Sequence, residues 1–124
     1  MARILIAEDE EPLRALLNRA LVADGHEVAA APDGAAALDI LTRAGGRFDL
    51  LLTDIRMPVM DGIALALAAA RDYPDLTIML MTGYADQRER AHGLETLIHD
   101  VITKPFSLAE IRSAVAGALA RRRS

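Results

Sequence analysis

Five short apolar runs recur along the chain, at Ile4 to Ala7, Glu27 to Ala30, Asp49 to Thr53, Ile78 to Thr82 and Val101 to Thr103. Most are too uniformly apolar for strands with a wet face. Between them the apolar residues return every three or four positions, the spacing of a helix with one buried stripe. In the first such stretch Leu13, Leu16, Leu17, Ala20 and Leu21 share a face, and Pro12 stands near the start, where its missing N–H costs nothing. Asp33 and Asp61, each followed by glycine, suit the N-caps of a second and third helix. Ser107 with Glu110 three residues on makes a capping box that opens the last one. The stretch Ala85 to Leu97, interrupted by Gly93, is expected to form a short or mobile fourth helix. Strands alternating with helices imply an α/β fold: a parallel sheet, helices on both faces, and right-handed crossovers.

A length of 124 residues without internal repeat or linker predicts one domain spanning 1–124. Although 52% of the residues are hydrophobic, no stretch is long enough to span a bilayer, and the start lacks the pattern of a secretory leader. A cytoplasmic location is expected. The absence of cysteine excludes disulfides, thiolate catalysis and thiolate metal sites. A net charge of −4 argues against broad nucleic-acid binding. The one basic cluster, Arg121 to Arg123, suits a solvated helix C-terminus. His26, His92 and His99 lack metal-ligand spacing and read as surface or packing residues.

Ligands of open α/β sheets bind beyond the carboxyl ends of the strands, so the strand ends carry the functional question. The first run ends in Glu8 and Asp9, the third in Asp54, the fourth in Thr82 and the fifth in Lys104 before Pro105. If the first and third strands are neighbours, three carboxylates meet, and two like charges about 4 Å apart repel by roughly 4 kcal/mol at an effective dielectric near 20. One lysine cannot neutralise three carboxylates. Such a cluster calls for a hard divalent ion, Mg²⁺ above all. A carboxylate beside Mg²⁺ can attack a phosphoryl group and become an acyl phosphate. Asp54 is the best acceptor, because the Met57-Pro58-Val59-Met60-Asp61-Gly62 turn after it leaves it accessible. Taken singly these residues have plainer readings: a carboxylate pair also caps a helix, Thr82 also serves a turn, and Lys104-Pro105 also makes a loop. Their joint placement on four strand ends is what those readings explain badly.

Glu8-Asp9, Asp54 within Asp-Ile-Arg-Met-Pro-Val-Met-Asp-Gly, Thr82-Gly83 and Lys104-Pro105-Phe106 together resemble the receiver domains of two-component response regulators, over essentially the whole chain. The resemblance implies a CheY-like, doubly wound sheet of order 2-1-3-4-5. It implies that Asp54 accepts phosphate from a histidine kinase or phosphotransfer protein, that Asp9 binds Mg²⁺ directly with the Arg56 carbonyl, and that Glu8 assists through water. Thr82 and Lys104 would then contact phosphoryl oxygens, Gly83 would leave room for the group, and Pro105 would follow a cis bond. Arg56 and Tyr84 would tune dephosphorylation. A kinase would dock near Leu13, Arg14 and Pro105, with the fourth helix, fifth strand and fifth helix as the output face; neither membrane nor nucleic acid is an expected partner.

Two departures stand out. Glu8 is one methylene longer than the usual aspartate. Val101 occupies the position of a switching aromatic three residues before the lysine, so the usual coupling from threonine to ring is unavailable. A switch from 1:99 to 99:1 needs about 5.5 kcal/mol, and hydrogen bonds to charged groups contribute roughly 1.5–3 kcal/mol each. Two or three such bonds would nearly suffice, so movement is expected in the loops after Thr82 and in the fourth helix. An aspartate-nucleophile phosphatase of the haloacid-dehalogenase type wants an acid where Arg56 stands. Within the receiver family, a stand-alone, CpdR-like regulator is expected. The leading domain of a longer transcription regulator and a phosphorylation-independent adaptor are the alternatives.

Overall fold

The computed structural model describes residues 2–83, 93–94 and 96–122. Along them run β1 (Arg3–Ala7), α1 (Glu11–Ala23), β2 (Glu27–Ala31), α2 (Gly34–Arg43), β3 (Leu50–Asp54), α3 (Gly62–Asp72), β4 (Thr77–Thr82), β5 (Asp100–Thr103) and α4 (Leu108–Arg122). The last helix, α4 here, is the fifth of the sequence reading; the stretch expected to form the fourth falls largely outside the described residues. All four strand pairings are parallel, and the order is β2-β1-β3-β4-β5.

Successive strand residues point to opposite faces, and the apolar runs use both. Leu5, Ala7, Leu51, Ile78 and Leu80 bury against Ala37 and Leu41 of α2 and Leu65, Ala66 and Ala69 of α3. Ile4, Ile6, Leu50, Leu52, Met79 and Met81 bury on the other face against Leu17 and Leu21 of α1 and Ile111, Val115 and Ala118 of α4. The central strands β1, β3 and β4 are buried almost throughout, whereas β2 and β5, each with one neighbour, are half-exposed.

The helix starts follow the chemistry expected of them. Asp33 accepts from Ala36 N at 2.8 Å and Asp61 from Ala64 N at 2.9 Å. Ser107 and Glu110 exchange their two bonds as a capping box. On α1 the buried line runs through Leu17 and Leu21 with Leu13 half-buried beside them. Leu16, placed on the core face by the sequence pattern, is instead 44% exposed. It lies about 100° around the helix from Leu17, which carries it off the sheet to the margin beside Leu108.

Candidate functional site

Strand register decides which charged residues meet. Ala7 pairs with Thr53, Asp54 with Met81 and Thr82 with Thr103, so the carboxyl ends of four adjacent chain segments lie level. By the two-residue alternation of strands, Glu8 continues the row of Ile4 and Ile6, Asp54 that of Leu50 and Leu52, and Lys104 that of Ile102. All three rows belong to the face covered by α1 and α4. The last step of an apolar row is thus charged, and the charge is covered. Glu8 is fully buried, Asp54 is 6% exposed and Lys104 is half-buried.

Buried charges persist only when paired and hydrogen-bonded, and these are. Lys104 Nζ lies 3.0 Å from Glu8 Oε1 and 3.3 Å from Asp54 Oδ2. Glu10 N donates to Glu8 Oε2 at 3.0 Å, and Ile55 N donates to Asp54 Oδ1 at 3.0 Å. From α1, Arg14 Nη1 donates to the Glu8 carbonyl at 2.9 Å and pins the end of β1. Asp9 is exposed at the rim. Glu8, Asp9 and Asp54 each bring one carboxylate oxygen within 4.8 Å of the others.

One ammonium faces three carboxylates. Burial raises the pKa of Glu8, as does the charge of Asp54, and these outweigh the Glu10 amide and Lys104. Burial likewise raises Asp54 against the pull of Lys104 and the Ile55 amide, with Asp9 adding to the rise. Burial alone would lower Lys104, yet its bond to Glu8 and the charge of Asp54 leave it raised and firmly cationic. The pocket is short of positive charge. Its donors are all oxygen and converge from two strand ends, which fits a hard divalent cation such as Mg²⁺.

Of the other candidate residues, Thr82 is fully buried at the end of β4, Gly83 is exposed beside it and Arg56 is exposed in the turn after β3. A Cβ on Gly83 would sit 3.7 Å from the Lys104 Cβ, ordinary contact, so the lysine stem does not by itself demand glycine. The Lys104–Pro105 peptide is cis. Tyr84 lies outside the described residues. Val101 is half-buried and packs on the core beneath α2 and α3.

Two contributors escaped the sequence reading. Gly62 N donates to the Ile55 carbonyl at 2.8 Å, and a Cβ there would run into the carbonyl oxygen of Asp54. The start of α3 therefore presses on the backbone that presents Asp54. The only hint in the sequence was a glycine after a capping aspartate. Arg14 was read as part of a docking surface, with no signal that it grips the end of β1.

The doubly wound parallel sheet gathers a buried aspartate, two further carboxylates and a lysine beyond the carboxyl ends of its strands, where open sheets of this kind bind their ligands. A sequence profile of the response regulator receiver domain matches residues 4–116, and the chain belongs to that family. Receiver domains serve phosphorelay signalling, typically bind Mg²⁺ at an acidic pocket, and engage histidine kinases or phosphotransfer proteins and downstream targets. The response regulator receiver protein CpdR of Brucella abortus is 41% identical over 111 residues, covering 90% of this chain and 91% of CpdR. The transcriptional regulatory protein PrrA of Mycobacterium tuberculosis is 37% identical over 122 residues, which is 98% of this chain but 52% of PrrA, so the chain spans about half that relative's length. A crystal structure of the response regulator protein TrrA from Thermotoga maritima, in complex with Mg²⁺ and BeF, matches with a TM-score of 0.82 at 30% identity, covering 95% of this chain and 99% of TrrA. Among the described residues no helix is long and apolar enough to cross a membrane.

Proposed function

We propose that residues 1–124 form one receiver domain in which Asp54 accepts a phosphoryl group from a phosphohistidine. The observation that carries this is the burial of Asp54 against Lys104 beside Glu8 and Asp9, with one ammonium for three carboxylates. An Asp54 carboxylate oxygen attacks phosphorus as the P–N bond breaks; the imidazole leaves with the electron pair and takes up a proton. Lys104 and the Thr82 hydroxyl hold phosphoryl oxygens, and Gly83 leaves space for them. Asp9, Asp54, the Arg56 carbonyl and, more remotely, Glu8 would hold Mg²⁺, which neutralises the carboxylates and the transferring group when bound. Attack of water on phosphorus returns the carboxylate and inorganic phosphate. Arg56 and Tyr84, two residues after Asp54 and Thr82 respectively, slow it.

Incubation with Mg²⁺ and acetyl phosphate, followed by intact mass, should add one phosphoryl group. An Asp54→Asn variant should gain none. Failure of the unaltered protein to gain mass with any donor, while binding Mg²⁺ normally, would leave a phosphorylation-independent binding module. Replacing Tyr84 with Ala should speed phosphate loss; an unchanged or slower rate would remove Tyr84 from the account.

The match to 91% of CpdR supports a stand-alone regulator that acts through protein contacts, with the stretch expected to be helical after Tyr84, β5 and α4 as the output face and Leu13, Arg14 and Pro105 as the kinase side. The half-length match to PrrA favours the other reading, a receiver leading a transcription regulator. Intact mass of the native gene product separates them.

A further inference from the structure

Among the described residues the buried polar or charged side chains are Glu8, Thr53, Asp54 and Thr82. All but Thr53 stand at the acidic pocket. By strand alternation Thr53 follows Leu51 on the opposite face, the one covered by α2 and α3, where its neighbours across the ladder are Ala7 and Leu80. A hydroxyl in so apolar a row needs an acceptor, and it donates to the Asp54 carbonyl at 2.8 Å. The start of α3 backs that same carbonyl, since a Cβ on Gly62 would run into it.

The other end of that peptide holds the Asp54 carboxylate. The Ile55 amide donates to Asp54 Oδ1 at 3.0 Å and is shared with the Met81 carbonyl of β4 at 3.2 Å. A trans peptide is planar, so the direction of its C=O fixes the direction of its N–H. The last torsion of an aspartate side chain is broad and selects no orientation by itself. We propose that Thr53 is a positioning residue for Asp54: by holding the Asp54 carbonyl from one face of the sheet, its hydroxyl aims the Ile55 amide at Oδ1 on the other and so keeps Oδ2 turned toward Lys104, 3.3 Å away. The proposal rests on the reading of Asp54 as the phosphoacceptor. Thr53 touches no reacting atom. Without its hydroxyl the carbonyl loses a buried donor and the peptide is free to tilt. The Ile55 amide then passes to Met81, and the carboxylate loses the bond that sets its plane for attack.

A buried threonine satisfies its hydroxyl wherever it sits, so orientation has to be separated from stability. Thr53→Val keeps the shape and loses the hydroxyl, while Thr53→Ser keeps the hydroxyl and loses a buried methyl. Stability is read by urea denaturation, phosphorylation by acetyl phosphate is timed at saturating Mg²⁺, and the Ile55 amide is followed by ¹⁵N-resolved NMR. Thr53→Val should phosphorylate about tenfold more slowly and Thr53→Ser within about twofold of the unaltered rate, the spread expected when a reacting group loses or keeps its orientation. Thr53→Ser should still unfold at lower urea than the unaltered protein, so the rates do not follow the stabilities. The Ile55 amide proton should move upfield in Thr53→Val and hold its place in Thr53→Ser. An unchanged rate or an unmoved Ile55 amide in Thr53→Val would overturn the proposal, as would rates that fall in both variants in step with their urea midpoints. Should Thr53→Val fail to fold, the Thr53→Ser rate and the unaltered protein decide: the Thr53 hydroxyl proton should appear as a resonance protected from exchange with water, and its absence, or a slow Thr53→Ser, sinks the idea. If the unaltered protein takes up no phosphate although the Ile55 amide shifts in Thr53→Val, the phosphoacceptor reading fails while the hold of Thr53 on the peptide stands.

Discussion

Glu8 and Lys104 join residues 96 positions apart at the carboxyl end of the sheet, and Asp24 and Arg112 join residues 88 positions apart at the seam between α1 and α4. Both pairs tie the start of the chain to its end at hydrogen-bond distance, 3.0 Å for the first and 2.5 Å at closest for the second. Their surroundings differ. Glu8 has no solvent exposure, and its pKa is raised because burial outweighs its donors. Asp24 and Arg112 lie at the surface, their side chains 25% and 51% exposed, and the guanidinium bonds hold the Asp24 carboxyl below its usual range. Distance alone therefore says little about an ion pair. What the pair does depends on whether either partner could take water instead. The seam is a surface clasp, while the carboxyl end stores uncompensated charge that a cation or a phosphoryl group can use.

That contrast can be broken from either side. The largest effect is expected from Lys104→Met, which strips the only ammonium from three carboxylates; urea denaturation without metal should show a loss of about 3 kcal/mol. An unchanged midpoint would mean that the carboxylates relax by taking protons or water. Next comes a pair of identical substitutions with opposite signs. Gly62→Ala drives a Cβ into the Asp54 carbonyl and should cost about 2 kcal/mol by urea denaturation, with slower phosphorylation as well. Gly117→Ala, inside α4 with nothing within 4 Å of the new Cβ, should instead stabilise by about 1 kcal/mol.

The smallest effect is expected from Asp24→Asn, and about 1 M salt should erase it. Because the folded pKa of Asp24 is lowered, its contribution is present above the unfolded value of about 3.9 and disappears as pH falls through the folded one. The stability gap to Asp24→Asn should therefore close in acid. Glu8 and Asp54 have raised pKa values, so their linkage runs the other way: the contribution is present below the unfolded values of about 4 and is lost as pH rises through the folded ones. Metal-free protein should show these opposite slopes in paired denaturation curves.

The fold was largely legible in the sequence, because strands buried on both faces, as β1, β3 and β4 are, must be apolar almost throughout, and the two half-exposed edge strands still read as short runs between helical stretches. Helix starts were equally local, since a cap and its amide donors lie within four residues; Asp33, Asp61 and Ser107 show this. Leu16 was misplaced because periodicity defines an apolar stripe without saying how wide a strip the sheet covers. The clustering of Glu8, Asp9 and Asp54 followed from one assumption, that the first and third strands are neighbours.

By itself, the order of residues along the chain determined the type and sequence of the described elements and the set of side chains at the strand ends, because both depend on spacing over a few positions. Only the tertiary structure decided the partners. Lys104 chose Glu8 and Asp54 over exposed Asp9 because the pleat puts all three on one covered face, and Gly62 was needed because α3 docks on the backbone of Asp54. Both facts depend on strand register and helix docking, which bring together residues that no local spacing relates.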